Sequence, residues 1–311
     1  MMNNMYKKII KQIAGWLLAA VIIYFLARTI HSNWAELKNW DWRIDWVNAA
    51  LAILTLVAAY ITASQGWRTI LHGFGHNIRL HESFRVVYLA NLGRYIPGKI
   101  WQVIGMVGLA KEVNVPAKTS LASFALVQAY ALPASFLLVL LFLGGADLPA
   151  SLAVYSNIVY IFMAVVFLLF LGLFFWPDGL DWALNRILKL FKQEPVSYKP
   201  SLQNRIAIFI WYLVTWLLFG LSFHFFLKAL IAEPALGIWF TTGAYIAAYN
   251  LGYIAIISPG GLGVREGVMT LLLAGSLGQP VAASIALIHR VLITIAEAVM
   301  SLLALLTYKL K

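Results

Sequence analysis

Arg94, Lys99, Arg265, Glu266, Arg290 and Glu297 stand in stretches that are otherwise apolar. Four cations against two carboxylates leave an excess of positive charge, and ionisable groups kept in such stretches mark a substrate path or pair with one another. The chemistry this set suits is the holding of an anion. Two glycine-rich breaks surround it, one running from Asn91 through Gly93, Arg94, Pro97 and Gly98 to Lys99, the other from Ser258 to Gly267. Each break precedes a short helical pattern, about 99 to 110 and about 265 to 275, whose first N–H groups and positive dipole end suit a phosphate. Glycine lets the backbone turn and approach a ligand, while Lys99 or Arg265 adds charge at the apex. The candidate substrate-binding residues are therefore Asn91, Arg94, Pro97, Gly98, Lys99, Asn250, Pro259, Gly260, Gly261, Gly263, Arg265, Glu266, Arg290 and Glu297. A structural role fits the same features, with glycines allowing close helix packing and arginines neutralising carbonyls or reaching an interface.

Near the C-terminus, Arg290, Thr294, Glu297 and Ser301 recur at i, i+4, i+7 and i+11, on one helical face that cannot look at lipid. Arg290 and Glu297 are two turns apart, so each is expected to pair with another element, Glu297 with Arg94 or Arg265. His224 and His289 are expected to be hydrogen-bonded structural residues, and Glu266 and Glu297 are better placed for any proton-linked step. The sequence has no Walker A motif and no His/Asp/Glu set with metal-ligand spacing. With no Cys, it has no thiol chemistry either. No catalytic residue, cofactor or metal is expected.

The elements that must position these residues are membrane helices. Of 311 residues, 62% are apolar and 11% charged, and the mean hydropathy is +0.83, which excludes a soluble catalytic fold. Runs without Asp, Glu, Lys or Arg cover 46–67, 119–146, 148–177, 206–227 and 234–264, each long enough to cross a bilayer. Full spans are read at about 13–30, 47–65, 119–143, 153–176, 206–231 and 281–306. The apolar regions 83–110 and 237–275 contain the two breaks. A Pro-Gly pair at membrane depth is tolerated only inside protein or beside a water-filled cavity, so both regions read as re-entrant hairpins, with kinked spans as the alternative.

The formal charge of +11 would suggest nucleic acid in a soluble protein, but here the position of the basic residues decides. With six spans, two hairpins and the N-terminus inside, fifteen of the 23 basic residues are cytoplasmic and four, Arg28, Lys38, Arg43 and Lys228, are external. Both termini are then cytoplasmic, and the membrane is read as a bacterial inner membrane. The fold class is an all-α polytopic membrane protein, a single domain over 1–311. Asn91-Leu92-Gly93 before Pro97-Gly98 recurs as Asn250-Leu251-Gly252 before Pro259-Gly260, which divides the chain into inverted repeats 1–147 and 148–311, a transporter pattern. Between them, Leu180, Leu184, Ile187, Leu188 and Phe191 oppose Arg186, Lys189 and Lys192 on an amphipathic helix expected at the inner leaflet. Trp34, Trp40, Trp42 and Trp46 read as an interfacial anchor.

The two breaks, NLGRYIPGKIWQ and SPGGLGVREG, resemble the flippase-like membrane region of the lysylphosphatidylglycerol synthase family, including its stand-alone members, over nearly the whole chain. The second motif, with Pro259, Gly261, Gly263 and Glu266, is the more specific. The family's aminoacyl-transferase domain is not among these residues, so the resemblance does not imply synthesis of a lysyl lipid. It implies movement between leaflets of an anionic phospholipid or a polyprenyl-phosphate-linked lipid, with membrane lipids as the partners. Some archaeal relatives are linked to dolichol-dependent glycosylation, which leaves a second expectation: a membrane-embedded enzyme or accessory protein of polyprenyl-phosphate-dependent glycosylation or envelope lipid modification.

Overall fold

In a computed structural model of the chain, residues 24, 27–28, 30–32, 34–40, 42–95, 100–146, 150–176, 178–190, 194–231, 236–255 and 259–306 are described. Among them the protein is all-α, with one isolated bridge between Trp42 and Ile231. The short helix α1, Trp34–Asn39, leads into five helices long and apolar enough to cross a membrane. These are α2, Trp46–Gly73; α5, Ala117–Leu143; α6, Ala150–Phe175; α8, Leu202–Leu230; and α11, Gln279–Leu306. The span expected at 13–30 lies almost entirely outside the described residues.

Capping places the helix starts. The Asp45 carboxylate accepts the N–H groups of Val47 and Asn48 at 2.9 and 3.1 Å, and Ser201 Oγ accepts that of Asn204 at 3.1 Å, each satisfying donors that a first helical turn leaves open. The span expected to end near 65 continues to Gly73. Backbone hydrogen bonding does not stop where hydropathy falls, and the polar end is tied down by Arg68 Nε donating to the Ile78 carbonyl at 2.8 Å. On α6, Ile158, Ile161, Leu168 and Leu169 are exposed, an apolar outer face that suits lipid.

The two interrupted regions are helical hairpins. In the first, α3 (Leu80–Asn91) passes through a 3-10 turn at Leu92–Tyr95 towards α4 (Ile100–Lys111). The limbs run antiparallel: a Cβ on Gly105 would lie 3.5 Å from Ala90 Cα, and one on Gly93 only 2.6 Å from the Gln102 nitrogen. Gly93 is therefore what lets the limbs cross. Gln102 also donates to Asn91 Oδ1 at 2.6 Å. In the second hairpin, α9 (Ile238–Ile254) and α10 (Val264–Leu277) flank a 3-10 turn at Pro259–Gly261, and Gly252 lies against Arg265.

Side-chain bonds give the relative directions. Thr215 Oγ1 donates to Thr62 Oγ1 at 2.9 Å and Ser222 Oγ to the Ala52 carbonyl at 2.8 Å, so α8 runs antiparallel to α2. Ser83 Oγ donates to the Ser64 carbonyl at 2.6 Å and Tyr88 OH to that of Tyr60 at 2.9 Å, laying α3 back along α2. His224 Nδ1 meets Thr241 Oγ1 at 2.9 Å, laying α9 back along α8. Since α2 and α8 oppose each other, the two hairpins enter the bundle from opposite ends, and their turns touch: a Cβ on Gly260 would lie 3.9 Å from the Arg94 carbonyl oxygen.

The connector between α6 and α8 contains α7, Gly179–Leu190, which buries Leu180, Leu184 and Leu188 as the spacing predicts. Ile187 is exposed instead, and Phe191 and Lys192 lie outside the described residues. The returning strand of chain is held by Asn185, which exchanges two 2.9 Å bonds with the Val196 backbone, and by Asp181, which accepts the Tyr198 N–H at 2.6 Å.

Candidate functional site

Where the hairpin turns meet, the protein forms a partly open cavity of about 310 Å³. Eight of the candidate residues line it: Asn91, Arg94, Asn250, Gly260, Gly261, Arg265, Arg290 and Glu297. Gly263 and Glu266 stand just behind, and Pro259 belongs to the second turn. Pro97, Gly98 and Lys99 lie outside the described residues.

Among the described residues the charges are arranged as two ion pairs and one further cation. Arg94, from the first turn, pairs with Glu297 of α11. Of the two partners expected for Glu297, the near one is Arg94. Arg290 Nε lies 3.5 Å from Glu266 Oε1, and its Nη2 donates to the Gly260 carbonyl at 3.4 Å. Helix α11 thus holds both hairpin turns, one through each end of its polar stripe. Ser301 extends the stripe by donating to the Tyr88 carbonyl at 3.1 Å. Thr294 sits at the stripe's edge and is exposed, its hydroxyl satisfied by the Arg290 carbonyl at 2.9 Å.

Arg265 differs from the other two arginines. It is 6% exposed, and among the described residues no carboxylate pairs with it. Its Nη2 donates to Tyr245 OH at 2.7 Å, and its guanidinium lies over the rings of Tyr245 and Tyr249, 4.9 and 4.6 Å from their centroids. Aromatic faces attract a cation without neutralising it. Three residues that line the cavity also carry a polar atom buried within the protein that makes no hydrogen bond: Tyr60 OH, Tyr212 OH and Asn250 Nδ2. All three are donors, whereas buried polar atoms are normally paired. Among the described residues the cavity therefore offers one cation that no carboxylate neutralises.

One expectation is modified. The first N–H of the α10 start, assigned to a phosphate from the sequence, is capped by the helix's own side chain, since Glu266 Oε2 accepts the Gly263 N–H at 2.6 Å. What remains for a ligand is the Arg265 side chain. His224 is hydrogen-bonded as expected, but His289 sits edge-on to Phe223 and Tyr245 and tilted against Phe226, and its Nε2 makes no hydrogen bond. Sequence reasoning missed Tyr60, Tyr212, Tyr245 and Tyr249. For α9 a signal existed, because Tyr245, Tyr249 and Tyr253 recur every four residues before the second break; Tyr60 and Tyr212 carry none.

The second turn depends on glycine in a way that can be measured. Gly261 has φ +72°, and a Cβ there would lie 2.8 Å from the Gly252 carbonyl oxygen. Gly261→Ala combines left-handed backbone strain with a clash against backbone, for a loss of about 2 kcal/mol or more. Gly108→Ala is the control, since nothing lies within 4 Å of its Cβ position. Thermal unfolding in detergent should show a lower melting temperature for Gly261→Ala and none for Gly108→Ala; equal values would mean that the turn is not held as described.

A family model described as "Lysylphosphatidylglycerol synthase TM region" matches residues 12–300. No curated protein matches the chain.

Proposed function

The chain belongs to the lysylphosphatidylglycerol synthase transmembrane family, a family of lipid modification or translocation, and from that premise we propose that it is a translocase for a phosphate-bearing lipid. The head group occupies the cavity between the hairpin turns, its phosphate on Arg265, while the hydrocarbon tails stay in the bilayer. The observation that carries this reading is the buried Arg265, which lines the cavity and has no carboxylate partner among the described residues. A charged group is kept at such depth at a high desolvation cost, and an anionic ligand offsets it.

In this reading both hairpins are re-entrant, and 1–147 and 148–311 form an inverted repeat in a bacterial inner membrane, with both termini cytoplasmic. What supports it is length and packing. The twelve-residue limbs of the first hairpin reach about 18 Å and the 17- and 14-residue limbs of the second about 25 and 21 Å, against a hydrocarbon core of about 30 Å. The packing of α5 on α9 is matched by that of α11 on α3, and the packing of α3 on α2 by that of α9 on α8. At the base of the first hairpin, Arg85 Nη2 lies 3.8 Å from Glu112 Oε2, which suits two ends on one side of the membrane. Cysteines at positions 81 and 112, in a chain that has none, should react with an impermeant reagent from the same side. Labelling from opposite sides would mean that the segment crosses.

The function itself is tested by reconstitution into liposomes with labelled phospholipids and polyprenyl phosphates, followed by a leaflet-accessibility assay. The protein should accelerate movement of at least one of them. Failure to move or turn over any would leave the charges with a purely structural role.

A further inference from the structure

Helix α7, in the connector between α6 and α8, stands at the boundary of the bilayer. Exposed apolar residues on α6 run from Val154 to Phe175, about 32 Å along the helix against a hydrocarbon core of about 30 Å, so the lipid-facing stripe ends where α6 ends. The turn that follows is tight. The Gly179 N–H donates to the Trp176 carbonyl at 3.1 Å, and a Cβ on Gly179 would lie 2.6 Å from the Leu173 carbonyl oxygen. From α8, Arg205 Nη1 donates to the carbonyls of Phe174 and Trp176. Helix α7 therefore begins at the level of the lipid head groups. Trp176 and Trp182, each 48% exposed with rings 5.7 Å apart, sit there, and indole rings favour that interface.

The leucines by which a free amphipathic helix would float on a leaflet are here taken up by the protein. Leu180, Leu184 and Leu188 are buried in the core, and Asp181 and Asn185 hold the backbone of Tyr198 and Val196. What α7 turns outward is a second amphipathic surface, with Trp182, Ile187 and Leu190 exposed beside Arg186 and Lys189. The Arg186 guanidinium lies over the Trp182 ring, 5.5 Å from its centroid. Among the described residues no carboxylate pairs with Arg186 or Lys189. The acids of the connector are engaged or distant: Asp181 accepts from Tyr198 and Asn185, Glu194 lies 3.8 Å from Lys118, and Asp178 precedes the first turn of α7, at the other end of the helix. A helix fixed at the edge of the hydrocarbon, with indole and aliphatic groups next to cations that no carboxylate neutralises, fits a surface that is apolar on one side and anionic on the other. We propose that this face binds anionic phospholipids of the leaflet it borders, with Arg186 and Lys189 on the head groups and Trp182, Ile187 and Leu190 among the first carbons of the chains. The site is independent of the cavity between the hairpin turns.

The chain has no Cys, so Ile187→Cys can carry a single fluorophore on this face. The labelled protein is placed in phosphatidylcholine nanodiscs that contain, at equal mole fraction, either a chain-spin-labelled phosphatidylcholine or a phosphatidylserine with the same label. Quenching at 187 should be about threefold or more stronger with the anionic lipid and should fall towards equality in about 0.5 M salt. In Arg186→Gln/Lys189→Gln it should be equal for the two lipids. Ile161→Cys, exposed on α6, a helix without a charged residue, is the control and should show no head-group preference. Arg265→Gln should leave the ratio at 187 unchanged, because that side chain lines the cavity. Equal quenching by both lipids at 187, or a preference that survives the loss of both cations, would overturn the proposal. A preference lost in Arg265→Gln would assign it to the cavity and overturn it as well. So would a fluorophore at 187 that neither lipid quenches, which would leave the face in water and open to a protein.

Discussion

Arg265→Gln is expected to weaken binding of a phosphodiester lipid by roughly a hundredfold and to stop its transbilayer movement, with little change in melting temperature. The loss in binding corresponds to charge-assisted hydrogen bonds and direct Coulomb attraction in a site of low dielectric, together about 3 kcal/mol. The small effect on stability follows from the partners. Arg265 bonds to Tyr245 OH and stacks on two rings, so its removal strands no carboxylate. Arg265→Lys should recover only part of the binding, because an ammonium cannot keep the Tyr245 bond and grip a phosphate with parallel donors at once. Tyr245→Phe keeps the ring and loses the orienting hydroxyl, for an expected loss of about tenfold, the scale of one hydrogen bond to a charged group. The assay is lipid binding and leaflet accessibility at matched expression, with melting temperature measured in parallel. Transport unchanged in Arg265→Gln, or a large fall in melting temperature with it, would turn Arg265 into a packing residue.

Glu297→Gln is expected to do the reverse and act first on stability. Glu297 pairs with Arg94 and thereby fastens the first hairpin turn to α11. Removing one partner of a largely buried pair takes away the opposite charge facing the other, at a cost of up to about 3–5 kcal/mol. Arg94→Gln should cost a similar amount. The double variant Arg94→Gln/Glu297→Gln should recover most of the loss, because neither charge is then stranded. A thermal-unfolding cycle over the four proteins measures the coupling; single losses that simply add would show that the two side chains do not act as a pair.

Much of this arrangement is local and so is legible along the chain. Hydropathy sets which segments can lie in lipid, and five of the six expected spans fall on helices long enough to cross. The Pro-Gly and Gly-rich runs mark two places where a helix cannot continue. The spacing of Arg290, Glu297 and Ser301 puts them on one face, and seven residues of helix separate two groups by about 10 Å, so the need for partners on other elements also follows from the sequence.

Which partner each charge takes does not follow, because pairing depends on where two hairpins end relative to α11, and nothing local encodes that. The close crossings at Gly93 and Gly252 and the contact of Gly260 with the Arg94 carbonyl put Arg94, not Arg265, against Glu297. Glu266 is bent back onto its own helix start and towards Arg290 by a turn with three positive φ values, at Gly260, Gly261 and Gly263. Among the described residues Arg265 is the cation left over, and the two tyrosines that lie against it, Tyr245 and Tyr249, arrive from α9, the other limb of its hairpin. Periodicity determines the face a residue occupies on its own element; only the packing of non-adjacent elements decides which faces meet, and the binding chemistry of the cavity arises there.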